Sequence, residues 1–344
     1  MPLPFNFYIT KDVNESMKTC FNRDLLEKYI EIYETKCERE SFMLERNALY
    51  WSIQALCNQS CGKSNLSEEC AMKSRNFLSK SFNPSFILVS YTHLNLGLFE
   101  IGRGNMELSN FHLHCCKFGN LVNQSRLKRT ISFLEQFSFG EMDALNFASR
   151  LPSVFEFICG ITLSSQLVTL LQQKITKENC NEIINTGSEI VKLCISTILS
   201  RNTDSNSEDS PSNSFEFTQT LLIEGLKLGV YVSSLSRTDL IEECSLRITY
   251  LCETDSFNHC SLFSIPFIVM ATRVNLQVVK GIKNGSRMNN QISFGELGIL
   301  QPIDYYEILQ RNQNALNLLN SRFSLVSVVH GKLMKSLDEI LSNR

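Results

Sequence analysis

The segment SFNPSFILVSYTHLNLGLFEIGRGNMELSNFHLHCCKFGNLV, residues 81–122, decides how this chain folds. Asn83 and Pro84 mark a helix start, since proline suits the first turn, where its missing N–H costs nothing. Ile87, Tyr91, Leu94, Leu98 and Ile101 then recur at steps of 4, 3, 4 and 3, which draws one apolar stripe along an α-helix. Gly102 falls where a left-handed cap would end that helix, and Gly104 relieves the bend. A second helix follows, with Leu108, Phe111, Cys115, Phe118 and Leu121 or Val122 on its inner face. The segment predicts a helical hairpin with Gly102 and Gly104 as its turn.

Other chemistries for the same residues fail on context. A phosphate-binding Walker loop follows a strand and closes on Lys-Ser or Lys-Thr after a spaced glycine. Here the preceding segment is helical, and the Gly-Lys-Ser at 62–64 has no upstream glycine at the required distance. His112 and His114 stand two apart, so on a helix they point about 200° apart and cannot chelate together. Cys57 and Cys61 share a helix face, but no pair of cysteines has zinc-finger spacing and no C-x-x-C occurs. A G-x-S-x-G nucleophile elbow is also missing. Predicted catalytic residues, metal ligands and cofactors are therefore none.

Composition points the same way. The 344 residues are 43% hydrophobic and 20% charged, with 23 Phe but only 15 Gly and 7 Pro. An all-β sandwich needs more turn residues than that. Thirty-three basic residues stand against 35 acidic ones, and the pI is near 6.3, which lacks the basic excess of a nucleic-acid-binding domain. The nearest basic cluster, SRLKRT at 125–130, reads as a solvated face. Thirteen cysteines and an opening MPLPFNFYIT without a signal-peptide pattern lead us to expect reduced thiols and a nuclear or cytoplasmic location. The sequons at Asn14, Asn58, Asn65, Asn123 and Asn284 then carry no sugar. LFSIPFIVMA is too short an apolar run for a membrane span, and no membrane role is expected.

Helical spacing extends along the chain. Leu26, Tyr29, Ile30 and Tyr33 share a face, as do Leu44, Ala48, Trp51 and Ala55. SNLSEECAMKSRNFLSKS reads as a helix with Ser67 as its N-cap. Three more helices are predicted in FTQTLLIEGLKLGVYVSSL, DLIEECSLRITYLCE and PFIVMATRVNLQVVKG, with Pro266 in the first turn of the last. RNTDSNSEDSPSNS, residues 201–214, contains no apolar residue and reads as a low-complexity loop inside a single 1–344 domain. At the C-terminal end Leu316, Leu319, Phe323, Val326, His330, Leu333, Leu337 and Ile340 alternate steps of 3 and 4 along one predicted helix. Such a seam packs against the chain's own helices or pairs with a second copy. The fold class that follows is all-α, an irregular multi-helix bundle built from helical hairpins.

In their order, these segments resemble the fungal-type transcription factor regulatory domain, the middle homology region of zinc-cluster transcription factors. Pro84, Ser85, Phe99, Glu100, Gly102, Arg103, Gly104, Ser109 and Phe111 supply the hairpin features typical of that family. RDLLEKYIEIYETKC, SFMLERNALYWSIQALCNQS and CAMKSRNFLSK are similar to the helices that precede its hairpin, and SIPFIVMATRVNLQVV to a later one. The chain departs from the pattern in lacking a six-cysteine cluster and a basic region, and in carrying Ser109 and Asn110 where alanine and an aromatic are commoner.

The resemblance implies an all-α regulatory or effector-sensing domain with no catalytic residues. Its implied partners are transcriptional machinery or regulatory proteins and a small-molecule effector, with no DNA binding by this chain alone. Tyr91, Glu100, Arg103, Phe111 and His112 are the candidate ligand-binding residues. The alternative is a helical protein-protein interaction scaffold without a transcriptional role.

Overall fold

The computed structural model describes residues 39–80, 87–118, 173–202, 212–234, 238–289 and 303–342, with Leu134 and Thr169 as isolated positions. Among these the secondary structure is helical, with no strand. The helices are α1 (Arg39–Ser60), α2 (Ser64–Lys80), α3 (Ile87–Arg103), α4 (Met106–Phe118), α5 (Cys180–Asn202), α6 (Ser212–Ser234), α7 (Thr238–Leu251), α8 (Ile265–Lys283), α9 (Tyr305–Arg322) and α10 (Leu325–Leu341). The all-α class is as the sequence predicts. The predicted helix over Leu26–Tyr33, the start at Asn83 and Pro84, and the 125–130 basic cluster lie outside the described residues.

The chain forms two compact units. The first comprises α1 to α4 together with Asn320–Val328, the corner between α9 and α10; the second comprises the remaining helices.

In the first unit α1 packs on α2 and α3, and α3 packs on α4. Ala48, Ala55, Cys70, Ala71, Leu78, Val89, Leu96 and Phe99 form its core, walled by Trp51, Leu56 and Phe77. The three alanines let the helix backbones approach. Ser74 Oγ then donates to the Ala48 carbonyl across the α1–α2 interface at 2.8 Å. Helix α2 begins at Ser64, a turn earlier than its predicted N-cap Ser67. Ser67 is buried, and its hydroxyl donates back to the Ser64 carbonyl.

The corner at 320–328 is tied to this unit by Arg322. Its Nε donates to the Ser60 carbonyl at the end of α1 at 2.6 Å, and its guanidinium lies 5.0 Å from the Phe323 ring. The predicted C-terminal seam is fully buried from Leu316 to Ile340, but it is carried by two helices. The chain turns between Arg322 and Leu325, and α10 kinks at His330 (φ −112°, ψ 19°). The 3–4 spacing survives the corner because both helices turn the same kind of stripe inward.

In the second unit α5 packs on α6, α6 on α7, and α7 on α8. Pro266 sits in the first turn of α8, as its sequence predicts. Gly225 lets α6 close on α8, since a Cβ there would lie 2.0 Å from Phe267 Cδ1. A buried amide and hydroxyl network joins α7, α8 and α9. Asn275 Nδ2 donates to Asn312 Oδ1 at 2.8 Å and to Thr249 Oγ1 at 3.1 Å. Asn312 Nδ2 donates to Thr249 Oγ1 at 2.8 Å, and Ser245 Oγ to Asn275 Oδ1 at 2.9 Å.

Leu262–Lys283 is long and apolar enough to cross a membrane, which corrects the expectation that no stretch is. Most of it is buried within the protein, as suits a core helix. α5 and α6 also take residues from each end of the polar segment 201–214, and 203–211 lies outside the described residues.

Candidate functional site

The hairpin of α3 and α4 turns on two residues. Gly104 adopts φ +76°, the left-handed conformation that costs glycine little. Its N–H donates to the Ile101 carbonyl at 2.8 Å, and that of Asn105 donates to the Glu100 carbonyl at 2.9 Å. This is a Schellman ending, which satisfies the last carbonyls of α3. Asn105 also caps α4, its Oδ1 accepting from the Leu108 N–H at 3.1 Å. The predicted left-handed cap at Gly102 is therefore corrected to Gly104. Gly102 is helical and is small for another reason. A Cβ there would stand 2.6 Å from Gln59 Oε1, and Gln59 Nε2 donates to the Phe99 carbonyl at 3.0 Å. The glycine makes room for an amide that ties α1 to α3.

Glu100 is fully buried (0% exposed). Burial pushes its pKa up, against the lowering pull of Arg75 and Arg103. Arg75 Nη2 on α2 donates to Glu100 Oε1. Arg103 Nη1 lies 2.6 Å from Glu68 Oε2 and 3.8 Å from Glu100 Oε2, and Arg75 Nη1 is 3.6 Å from Glu68 Oε1. Two carboxylates and two guanidiniums thus form one neutral cluster spanning α2 and α3. Arg103 is its outer member, with 42% of its side chain exposed.

A second buried polar group lies between α3 and α4. His93 Nδ1 and His112 Nδ1 are 2.9 Å apart, with ring planes inclined at 41°. One imidazole donates and the other accepts, so the accepting ring is neutral, and burial favours the neutral form of both. Burial pushes His93 down to about 4. It pushes His112 down to about 3, with smaller contributions from His93 and Arg75. His112 Nε2 and Ser109 Oγ, one turn apart on α4, have no hydrogen-bond partner among the described residues. Gly97, between His93 and Glu100 on α3, permits the close approach, since its Cβ would lie 3.1 Å from Leu113 Cδ2.

The five candidate residues separate in space. Glu100 and Arg103 share the ionic cluster, and His112 belongs to the histidine pair. Tyr91 is half-buried and lies about 200° around α3 from His93. Phe111 is 57% exposed, which corrects its predicted place on the inner face of α4. Leu108 and Cys115 are likewise only half-buried. The inner face is Ser109, His112, Leu113 and Cys116. The hydrogen bond to His93 makes a buried histidine tolerable and rotates the phenylalanine outward. Arg75, Glu68 and His93 were missed in the sequence. The usable signal was positional: His93, Gly97 and Glu100 step by 4 and 3 along one face of α3.

No three of His, Cys, Asp and Glu among the described residues are placed to hold a metal ion. The perturbed thiols move away from reactivity. Burial pushes Cys70, Cys115, Cys244 and Cys252 up, which disfavours the nucleophilic thiolate. His330 is pushed down to about 4 by burial, with Arg273 adding to the effect.

No protein-family model, curated protein or solved structure matches this chain.

Proposed function

We propose that this chain is a non-catalytic regulatory domain of a transcription regulator, sensing an effector or a partner protein through the α3–α4 hairpin. The observation that carries this reading is the ionic cluster around Glu100. Its inner carboxylate is fully buried, and its outer guanidinium, Arg103, reaches solvent beside Glu68. A carboxylate or polar group arriving at Arg103 competes with Glu68. Any shift of Arg103 then changes the charge facing buried Glu100, which Arg75 alone would have to balance. Surface binding is thereby coupled to the packing of α2 against α3, as a two-state response requires. Exposed Phe111 offers an apolar contact on α4. The order of segments resembling the fungal-type regulatory domain supports the transcriptional setting, with a nuclear location and transcriptional proteins as partners.

The test places the whole chain between a heterologous DNA-binding domain and an activation segment, with a reporter gene as readout. Arg103→Gln and Phe111→Ser should each change reporter output at least twofold at unchanged protein level. Two folded variants with wild-type output would overturn the proposal.

A further inference from the structure

Helix α8 ends in a turn that holds a serine among basic residues. The sequence is KGIKNGSRMN, residues 280–289, with Lys283 three positions before Ser286 and Arg287 directly after it. Ser286 is exposed. Gly285, at φ +69°, closes a Schellman ending in which its N–H donates to Ile282 O and that of Ser286 to Gly281 O, both at 3.0 Å. The Ser286 hydroxyl donates to the same Gly281 carbonyl at 2.9 Å.

The next residue is a latch. Arg287 grips both oxygens of Glu242 on α7, Nη2 to Oε2 at 2.8 Å and Nη1 to Oε1. It lies 4.9 Å from the ring of buried Tyr305, whose hydroxyl donates to Glu242 Oε2 at 2.9 Å. The guanidinium is not saturated, because its buried Nε has no acceptor among the described residues.

We propose that Ser286 is a phosphorylation site for a basophilic serine/threonine kinase, and that its phosphate opens the latch between Arg287 and Glu242. In the reaction Ser286 Oγ forms a bond to the γ-phosphorus of ATP. The bond from that phosphorus to the β–γ bridging oxygen breaks, ADP leaves, and the hydroxyl proton passes to the kinase's catalytic base. The ester oxygen can no longer donate to Gly281 O. A charge of about −1.5 to −2 then stands at the C-terminal end of α8, where the helix dipole repels it. Three phosphate oxygens compete with Glu242 for Arg287, beginning with its unfilled Nε, and Lys280 and Lys283 in the last turn attract the same group. Glu242 is left with Tyr305 as its hydrogen-bond donor. This inference is independent of the effector-domain reading.

The experiment treats the full chain with protein kinase C catalytic fragment and Mg-ATP, maps phosphate by peptide mass analysis, and follows thermal unfolding. Wild type should take phosphate at Ser286 and lose about 2–5 °C in Tm. Ser286→Ala should take none there and keep its Tm after the same treatment. Glu242→Gln, whose latch is already weakened, should take the phosphate but lose less than half as much. Wild type with no phosphate at Ser286, phosphorylation without a fall in Tm, or an equal fall in Glu242→Gln would each overturn the proposal.

Discussion

Replacing Gly104 and Gly102 separately by alanine distinguishes backbone strain from side-chain crowding at the hairpin. Gly104 holds φ +76°, and a left-handed conformation costs an L-residue about 1–2 kcal/mol. The new Cβ would also stand 2.9 Å from Val328 Cβ. Val328 Cβ is fixed to the backbone of α10 and cannot rotate away, so the total is at least about 1–3 kcal/mol. At Gly102 the backbone is helical, and alanine gains about 1 kcal/mol of helix propensity. Its Cβ displaces the Gln59 amide, breaking the bond to the Phe99 carbonyl. Stranding those groups costs about 1–3 kcal/mol, which leaves a net loss of about 0–2 kcal/mol. Gly104→Ala should therefore be the more damaging by about 1 kcal/mol. Gly104→Asn should recover part of that loss, because asparagine tolerates the left-handed region. The protein has one tryptophan, Trp51, which packs against the core of the first unit, so its fluorescence during urea unfolding reports on that unit. With an m-value of about 1–3 kcal/mol/M, the difference is about 0.3–1 M in midpoint. A lower midpoint for Gly102→Ala than for Gly104→Ala, or no recovery with asparagine, would refute the assignment of the turn.

Two further outcomes are expected. His93, His112 and His330 have folded pKa values of about 4, 3 and 4, below the ordinary 6.5. The unfolded chain then binds more protons between those values, so stability is present above pH 6.5 and falls as pH drops toward 4. Each histidine contributes up to about 1.4 kcal/mol per pH unit, and the bonded pair titrates together. Glu100, pushed up by burial, acts in the opposite sense, and three histidines outweigh it. Urea midpoints that stay flat from about pH 6.5 to 4.5 would contradict the buried neutral pair. In the second unit Asn312→Leu removes one member of the Thr249, Asn275 and Asn312 network and takes from Asn275 Nδ2 one of its two acceptors, leaving Thr249 Oγ1. The expected loss is about 1–3 kcal/mol in thermal or urea unfolding, and an unchanged midpoint would show that the network contributes nothing.

The helices and the hairpin turn were legible in the sequence because both are local. An apolar residue every third or fourth position specifies a buried stripe whatever it packs against, and the C-terminal stripe is indeed buried from Leu316 to Ile340. The corner that divides that stripe left no mark, since a 3–4 rhythm does not show whether one helix carries it or two. Turn chemistry narrowed the hairpin bend to two glycines. Gly104 rather than Gly102 takes the left-handed turn, closed by bonds to Ile101 and Glu100, while Gly102 is small to admit Gln59 from another helix.

The candidate site was legible only in part, for the same physical reason. Glu100 and Arg103 are one turn apart and were singled out together. Arg75, Glu68 and His93 join the site only when α2, α3 and α4 pack, because the partners lie 25 residues apart for Arg75 and Glu100 and 19 for the histidines. Hydropathy assigned Phe111 to the inner face of α4 and treated His112 as polar. The tertiary structure reversed the two, since a histidine that finds a hydrogen-bond partner can be buried while its neighbour, about 100° around the helix, turns to solvent. The sequence alone marked most of the helical segments, though not α5, and the apolar stripe of each, because those depend on neighbours three and four residues away. Only the tertiary structure decided which polar groups are buried together and which aromatic is exposed, because those depend on partners brought together by packing.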